Sequence, residues 1–225
     1  PAAVLAENAA QQQTQQQVQP QQGDIRMSRL NGRQVQNAQG EDIGEVKDIV
    51  VEANTGKVAY VALSHGGFLG IGEDLFAYPV GRFEMGGQGE ALVLKADVTE
   101  AQLDEREGFN DGNWPKLRQD RGYWAQIDER FGADASASAG GTAQDAAQER
   151  AFVRGSELVG ESVNDRSDNV IGEIDDLVVS LRDGAVRFAA IDTAGDDKLV
   201  PVPMDALSVR EDGSDTAVRY ERDRM

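Results

Sequence analysis

Ile43-Gly-Glu-Val-Lys-Asp-Ile-Val-Val51 returns 128 residues later as Ile171-Gly-Glu-Ile-Asp-Asp-Leu-Val-Val179. Outward from these stretches, Leu30–Ser64 lies over Leu158–Asp192 without a gap, with twelve identities in 35 positions. Leu30/Leu158, Gly32/Gly160, Val35/Val163, Gly56/Gly184, Val58/Val186 and Ala62/Ala190 are among them. Self-similarity of this extent marks an internal duplication.

Each copy is written in β. Ile43, Val46, Ile49 and Val51 interleave with Glu45, Lys47 and Asp48, and Val58, Tyr60 and Val61–Leu63 follow a turn. Thr55-Gly56 and Asp183-Gly184 sit where a hairpin requires a residue at positive φ. A third strand carries Phe76-Ala-Tyr-Pro-Val80 in one copy and Lys198-Leu-Val-Pro-Val202 in the other. Pro79 and Pro201 lack a ladder donor, which places them at an edge or bend. Ala91–Leu94 and Ala217–Tyr220 supply a last strand. Five or six short strands in roughly 70 residues suit a small curled barrel.

Helix is scarce. Thr99-Glu-Ala-Gln102 has the spacing of a capping box opening a short helix to about Glu107. Tyr123–Phe131 puts Trp124, Ile127 and Phe131 on one face, an apolar stripe expected to lie against the first barrel. The chain divides into a Gln-rich arm (1–23, with nine glutamines in positions 11–22), a first barrel (24–98) and a helical connector (99–132). An Ala/Ser/Gly linker (133–150) and a second barrel (151–225) follow. The arm has nothing to bury and reads as a solvated tether; held against a neighbour, its amides can also ladder.

Composition removes whole classes of function. The chain has 225 residues, with 40 acidic against 22 basic and a net charge of -18, which disfavours nucleic acid as a partner. Cysteine is absent, excluding disulfides, thiolate metal sites and Cys nucleophiles. No apolar run approaches the ~18 residues of a membrane span. Only five of the basic residues are lysines, and Asp/Glu excess with Arg suits a salty milieu. The opening Pro1-Ala-Ala-Val-Leu-Ala6 is like the small-residue end of a processed secretory signal, implying a periplasmic or extracellular protein.

The runs Leu30-Asn-Gly-Arg33, Gly40–Val51 and Gly56-Lys-Val-Ala-Tyr-Val-Ala-Leu63 resemble the PRC-barrel domain, named for the photosynthetic reaction centre H subunit. Gly66-Gly-Phe-Leu-Gly-Ile-Gly72 followed by Tyr78-Pro-Val80 is especially like exported PRC-barrel proteins of alphaproteobacteria. Ile171–Val179 and Val200-Pro-Val202 repeat the pattern. The resemblance implies an all-β protein with two SH3-like barrels in tandem. It also implies the role usual in the family, a non-catalytic adaptor that docks on larger assemblies.

Against that expectation the residues offer little chemistry. His65 is the single histidine, has no base partner in the sequence, and reads as a solvated loop residue. Gly66, Gly67, Gly70 and Gly72 lack the order of a phosphate-binding loop, and a strand follows them. They present Phe68, Leu69 and Ile71, whereas the second copy has the polar Thr193-Ala-Gly-Asp-Asp197. An apolar loop in only one copy fits a docking tip, or a cap folded back on its own barrel. Asp165 and Asp168, then Asp192, Asp196 and Asp197, then Asp212 and Asp215 do not match a calcium loop and read as solvated turns. Glu45/Glu173 and Asp48/Asp176 recur in both copies, which suggests structural hydrogen bonds rather than an acid pair.

The expectation is a non-enzymatic protein without metal or cofactor that binds protein partners or itself through Phe68–Ile71 and the outer strands. Two other readings stand beside it: a peripheral subunit of a photosynthetic or other membrane complex, and a small-ligand or cation-binding module.

Overall fold

The computed structural model describes residues 23–53, 55–66, 74–86, 91–95, 98–104, 108–110, 112, 114, 127, 152–193, 199–212 and 215–221. In chain order the first half forms β1 (Asp24–Arg26), α1 (Met27–Leu30), β2 (Gln34–Gln36), β3 (Asp42–Glu52), β4 (Val58–His65) and β5 (Asp74–Pro79). A 3-10 turn, β6 (Phe83–Met85), β7 (Leu92–Leu94) and α2 (Glu100–Asp104) follow. The second half repeats the order: β8 (Phe152–Arg154), α3 (Gly155–Leu158), β9 (Ser162–Asn164), β10 (Val170–Ser180) and β11 (Ala185–Asp192). It ends with β12 (Leu199–Pro203), a 3-10 turn, β13 (Leu207–Asp212) and β14 (Asp215–Tyr220).

Two sheets of seven strands result, ordered β5-β4-β3-β2-β7-β6 and β12-β11-β10-β9-β14-β13. Each curls, as expected of a small barrel, but stays open between its end strands. The reason is local. Pro79 and Pro203 end the edge strands without a donor, and the 3-10 turns Val80–Arg82 and Met204–Ala206 swing the chain round a corner. By register, Pro79 opposite Tyr60 corresponds to Pro203 opposite Phe188. The sequence pairing of Pro79 with Pro201 was therefore two residues out.

The seventh strand of each sheet comes from the other half. β1 pairs with β10 (Ile25 opposite Val179), and β8 pairs with β3 (Val153 opposite Val51). Each repeat thus gives its first strand away, and the sequence units 24–98 and 151–225 are not the hydrogen-bonded units. The hairpin turns also meet, where Val58 N–H donates to Gly184 O (2.9 Å) and Val186 N–H to Gly56 O (2.8 Å). Both glycines have the expected positive φ, +69° and +60°. Burial follows suit, since one continuous core takes Leu30, Ile49 and Tyr78 together with Val153, Leu158 and Ile174.

Beside the pseudo-twofold relation the duplication has diverged usefully. Met27 and Gly155 occupy equivalent positions, and a Cβ on Gly155 would lie 2.6 Å from the Met27 sulfur. There is room for one large side chain there, and the second copy supplies none. Gly44 has a different constraint: its φ is +142° and a Cβ would lie 2.0 Å from the Ser64 carbonyl oxygen. Backbone against backbone leaves no soft way out. Gly44→Ala is expected to destabilise the fold by roughly 2–4 kcal/mol, read as a lowered midpoint in urea unfolding.

Candidate docking face

The recurring acids serve the exchange of strands. On β3, Asp48 is buried and accepts Ser156 Oγ–H (2.5 Å), Ser156 N–H (3.1 Å) and Ile49 N–H (2.8 Å). On β10, Asp176 accepts Ser28 Oγ–H (2.6 Å), Ser28 N–H (3.1 Å) and Leu177 N–H (2.9 Å). Each carboxylate thus holds the start of the short helix contributed by the other half. Burial raises the Asp48 carboxyl above its ordinary pKa, opposed by the Ser156 and Ile49 hydrogen bonds and the Arg154 charge. Glu45 and Glu173 share none of this, being exposed on their strands. Structural hydrogen bonding therefore holds for the aspartates alone. The partners had a signal in the sequence: Arg26/Arg154 and Ser28/Ser156 continue the identities upstream of Leu30/Leu158.

His65, Asp165 and Asp168 are also engaged in local structure. His65 ends β4 half-buried, its Nδ1 3.0 Å from the Ile43 carbonyl, and is not the solvated loop residue expected. Asp165 accepts from Ser167 N–H and from both the backbone and side chain of Asn169. The Asn169 bonds hold its carboxyl below the usual range. Asp168 is at φ +62° and ion-paired with Arg219. Asp212 and Asp215 are backbone register partners at the end of the β13–β14 hairpin, while Asp196 and Asp197 lie outside the described residues. Among the described residues no three His, Asp or Glu are grouped to hold a metal ion.

Of the expected docking loop only Gly66 is described, at φ +73° with open space where a Cβ would be. Gly67, Phe68, Leu69, Gly70, Ile71 and Gly72 lie outside the described residues.

A second apolar surface emerges from the duplication. The outer face of the first sheet, built from Val50, Ala59, Tyr60, Ala62, Leu75 and Ala77, is covered by Phe109 and Ile127, with Trp114 and Phe152 packed against them. Phe109 exchanges backbone hydrogen bonds with Leu75 (2.7 and 3.0 Å) and meets Trp114 edge-on at 4.8 Å. The Arg154 guanidinium lies 4.9 Å from the centre of the Trp114 ring. The stripe expected on the connector is thus buried on the first sheet at Ile127; Trp124 and Phe131 are outside the described residues. Thr99 and Gln102 form the predicted reciprocal cap of α2. Leu103 of α2 enters the main core.

The equivalent face of the second sheet has no such cover among the described residues. Val178, Phe188, Ala190, Leu199 and Pro201 correspond by register to Val50, Tyr60, Ala62, Leu75 and Ala77. With Asp24 and Arg26 of β1 they line an open groove of about 360 Å³. Leu75 is wholly buried, whereas its counterpart Leu199 is 42% exposed and Pro201 is exposed beside it; Val178, Phe188 and Ala190, which complete the apolar lining, are buried. Where the covered face has Phe152 and Ala59, the open one has Asp24 and Arg187, paired at 3.5 Å. The Asp24 side chain is only 2% exposed, so this end of the groove carries a buried charge where the first sheet has apolar groups.

Among known families, the model of the PRC-barrel domain matches residues 22–100 and 151–223, together about two thirds of the chain. Compared with curated proteins, the chain finds no match. No helix among the described residues is long and apolar enough to cross a membrane.

Proposed function

Because the chain belongs to the PRC-barrel domain family, we propose that it is a non-enzymatic interaction protein whose two barrels act as one rigid docking platform. The observation that carries this reading is the open groove. One sheet face occurs twice, the chain covers its first occurrence with Phe109 and Ile127, and the second presents Leu199 and Pro201 to solvent. Exposed apolar side chains over a pre-formed concavity are the usual mark of a binding surface. The shared core and exchanged strands support rigidity, because the two sheets cannot separate without losing β1 and β8. The apolar Phe68, Leu69 and Ile71 loop remains part of the proposal as a second contact, on the strength of its composition.

The test compares native particle size in cell extracts for three chains. Leu199→Asp is expected to remove the protein from its native complex while leaving its thermal melt within a few degrees of the parent. Replacing Phe68, Leu69 and Ile71 together with Ser is expected to weaken that complex. An unchanged native mass and an unchanged set of cross-linked partners in both variants would refute the reading.

A further inference from the structure

We propose that the groove of the second sheet takes a short, extended, aromatic-bearing peptide of a partner protein. The peptide pairs one residue with the backbone of Leu199 and packs its ring against Arg26. This inference rests on the docking reading above and specifies the class of partner.

The chain itself supplies the template. On the first sheet the occupant is a one-residue β-bridge, Phe109 to Leu75, followed by an aromatic ring under Arg154. Leu199 is the register equivalent of Leu75, and Arg26 aligns with Arg154 at the repeat offset of 128. Along a strand, backbone N–H and C=O groups alternate between the two sides. Leu75 turns both groups away from β4 towards Phe109, so Leu199 turns its own away from β11, to the edge where β12 has no second neighbour among the described residues. Arg26 lies along the groove wall with its side chain 45% exposed, held by Asp175 (3.2 Å) and Asp176 (2.9 Å). A guanidinium held flat by carboxylates can still stack on an aromatic face, as Arg154 does while bonded to Glu157 at 2.8 Å.

The same edge argues against other occupants. Pro201 and Pro203 share the outward phase of Leu199 and carry no N–H, so a long ladder with a β-strand of a second copy would lack its donors. One bridge is what the edge offers. Residues 1–22 contain no aromatic residue to place against Arg26, so the arm that leads into Asp24 does not reproduce the template.

A capped synthetic peptide copying residues 108–114, Gly-Phe-Asn-Asp-Gly-Asn-Trp, is the probe. It is titrated into the full isotopically labelled chain and followed by methyl and amide NMR. The expected result is saturable shifts centred on Val178, Ala190 and Leu199. Binding should be at least tenfold weaker for a peptide with Ala at both aromatic positions and for Leu199→Pro, which deletes the bridging N–H. Arg26→Lys, which keeps the charge but loses the planar stack, should weaken it severalfold. No shift at millimolar peptide, shifts elsewhere on the molecule, or equal binding of the Ala peptide would overturn the inference. If the peptide fails while Leu199→Asp still dissolves the native complex, docking stands and the aromatic-peptide class is wrong. If Leu199→Asp instead abolishes a concentration-dependent growth in mass of the pure protein, the occupant is a second copy and the inference is likewise overturned.

Discussion

Residues 24–132 expressed alone are expected to form a two-chain dimer rather than a folded monomer. In the full chain the first sheet receives Phe152–Arg154 on β3 and Gly155–Leu158 behind it. Removing that segment strips Val153 and Leu158 from the core, both essentially fully buried, at about 1.5–3 kcal/mol each. It also leaves Asp48 buried without Ser156, a loss of about 3 kcal/mol in charge-assisted hydrogen bonds. Together these rival the ~5–15 kcal/mol that stabilises a whole domain. Meanwhile β1 and α1 of the same fragment have lost their acceptor, β10. Two fragments can repair both defects by exchanging β1–α1, since Ile25, Arg26, Ser28 and Leu30 match Val153, Arg154, Ser156 and Leu158. The fit is imperfect, because two copies of Met27 would crowd the place where the natural pair is Met27 and Gly155. Light scattering coupled to size exclusion should therefore show a dimer that dissociates and unfolds together on dilution. A stable, folded monomer at low micromolar concentration would mean the strand exchange is dispensable.

At Asp48 the expected outcome separates shape from charge. Asp48→Ala leaves the Ser156 and Ile49 N–H groups buried without an acceptor and should cost about 3–5 kcal/mol. Asp48→Asn keeps one carbonyl oxygen for those two donors and lets the Ser156 hydroxyl turn to accept from the amide, so it should cost far less. The acid also has a pH signature. Burial raises its pKa in the folded chain above the ordinary value, so the folded state binds the proton more tightly than the unfolded one. Between those two values folding takes up a proton, and the contribution of Asp48 to stability falls as pH rises through that window, then stays flat. Asn cannot titrate. The stability of the parent relative to Asp48→Asn should therefore increase on going from pH 7 to pH 4, as followed by urea unfolding. A constant difference would place the carboxylate in a well-solvated setting, and a reversed one would mean that its hydrogen bonds and Arg154 outweigh burial.

Much of this was legible in the chain. The duplication, the β pattern and the left-handed turn glycines Gly56 and Gly184 follow from side-chain alternation and local φ, which neighbouring residues set. The identity of Gly44 with Gly172 likewise records a close approach of two strands: a Cβ on Gly172 would lie 2.4 Å from the Asp192 carbonyl oxygen. Pro79 and Pro201 announced an edge strand correctly, but their mutual alignment did not survive, because the first copy carries four more residues in its Gly-rich loop than the second does. The groove was not legible at all. It exists because Phe109, Trp114 and Ile127 cover one of two like faces, and their sequence says only that they seek an apolar surface.

The sequence alone thus determined the repeated unit, its strands and turns, and the recurrence of Asp48 as Asp176, because each depends on contacts close in the chain or on identity between the copies; that Ser28 and Ser156 serve those aspartates across the two halves only the fold shows. Which half receives β1 and β8, and which outer face has no cover among the described residues, were decided only in three dimensions. The two halves present nearly the same hydrogen-bonding edge and the same apolar face. Between near-equivalent local partners, only the packing of the whole chain into one shared core can choose.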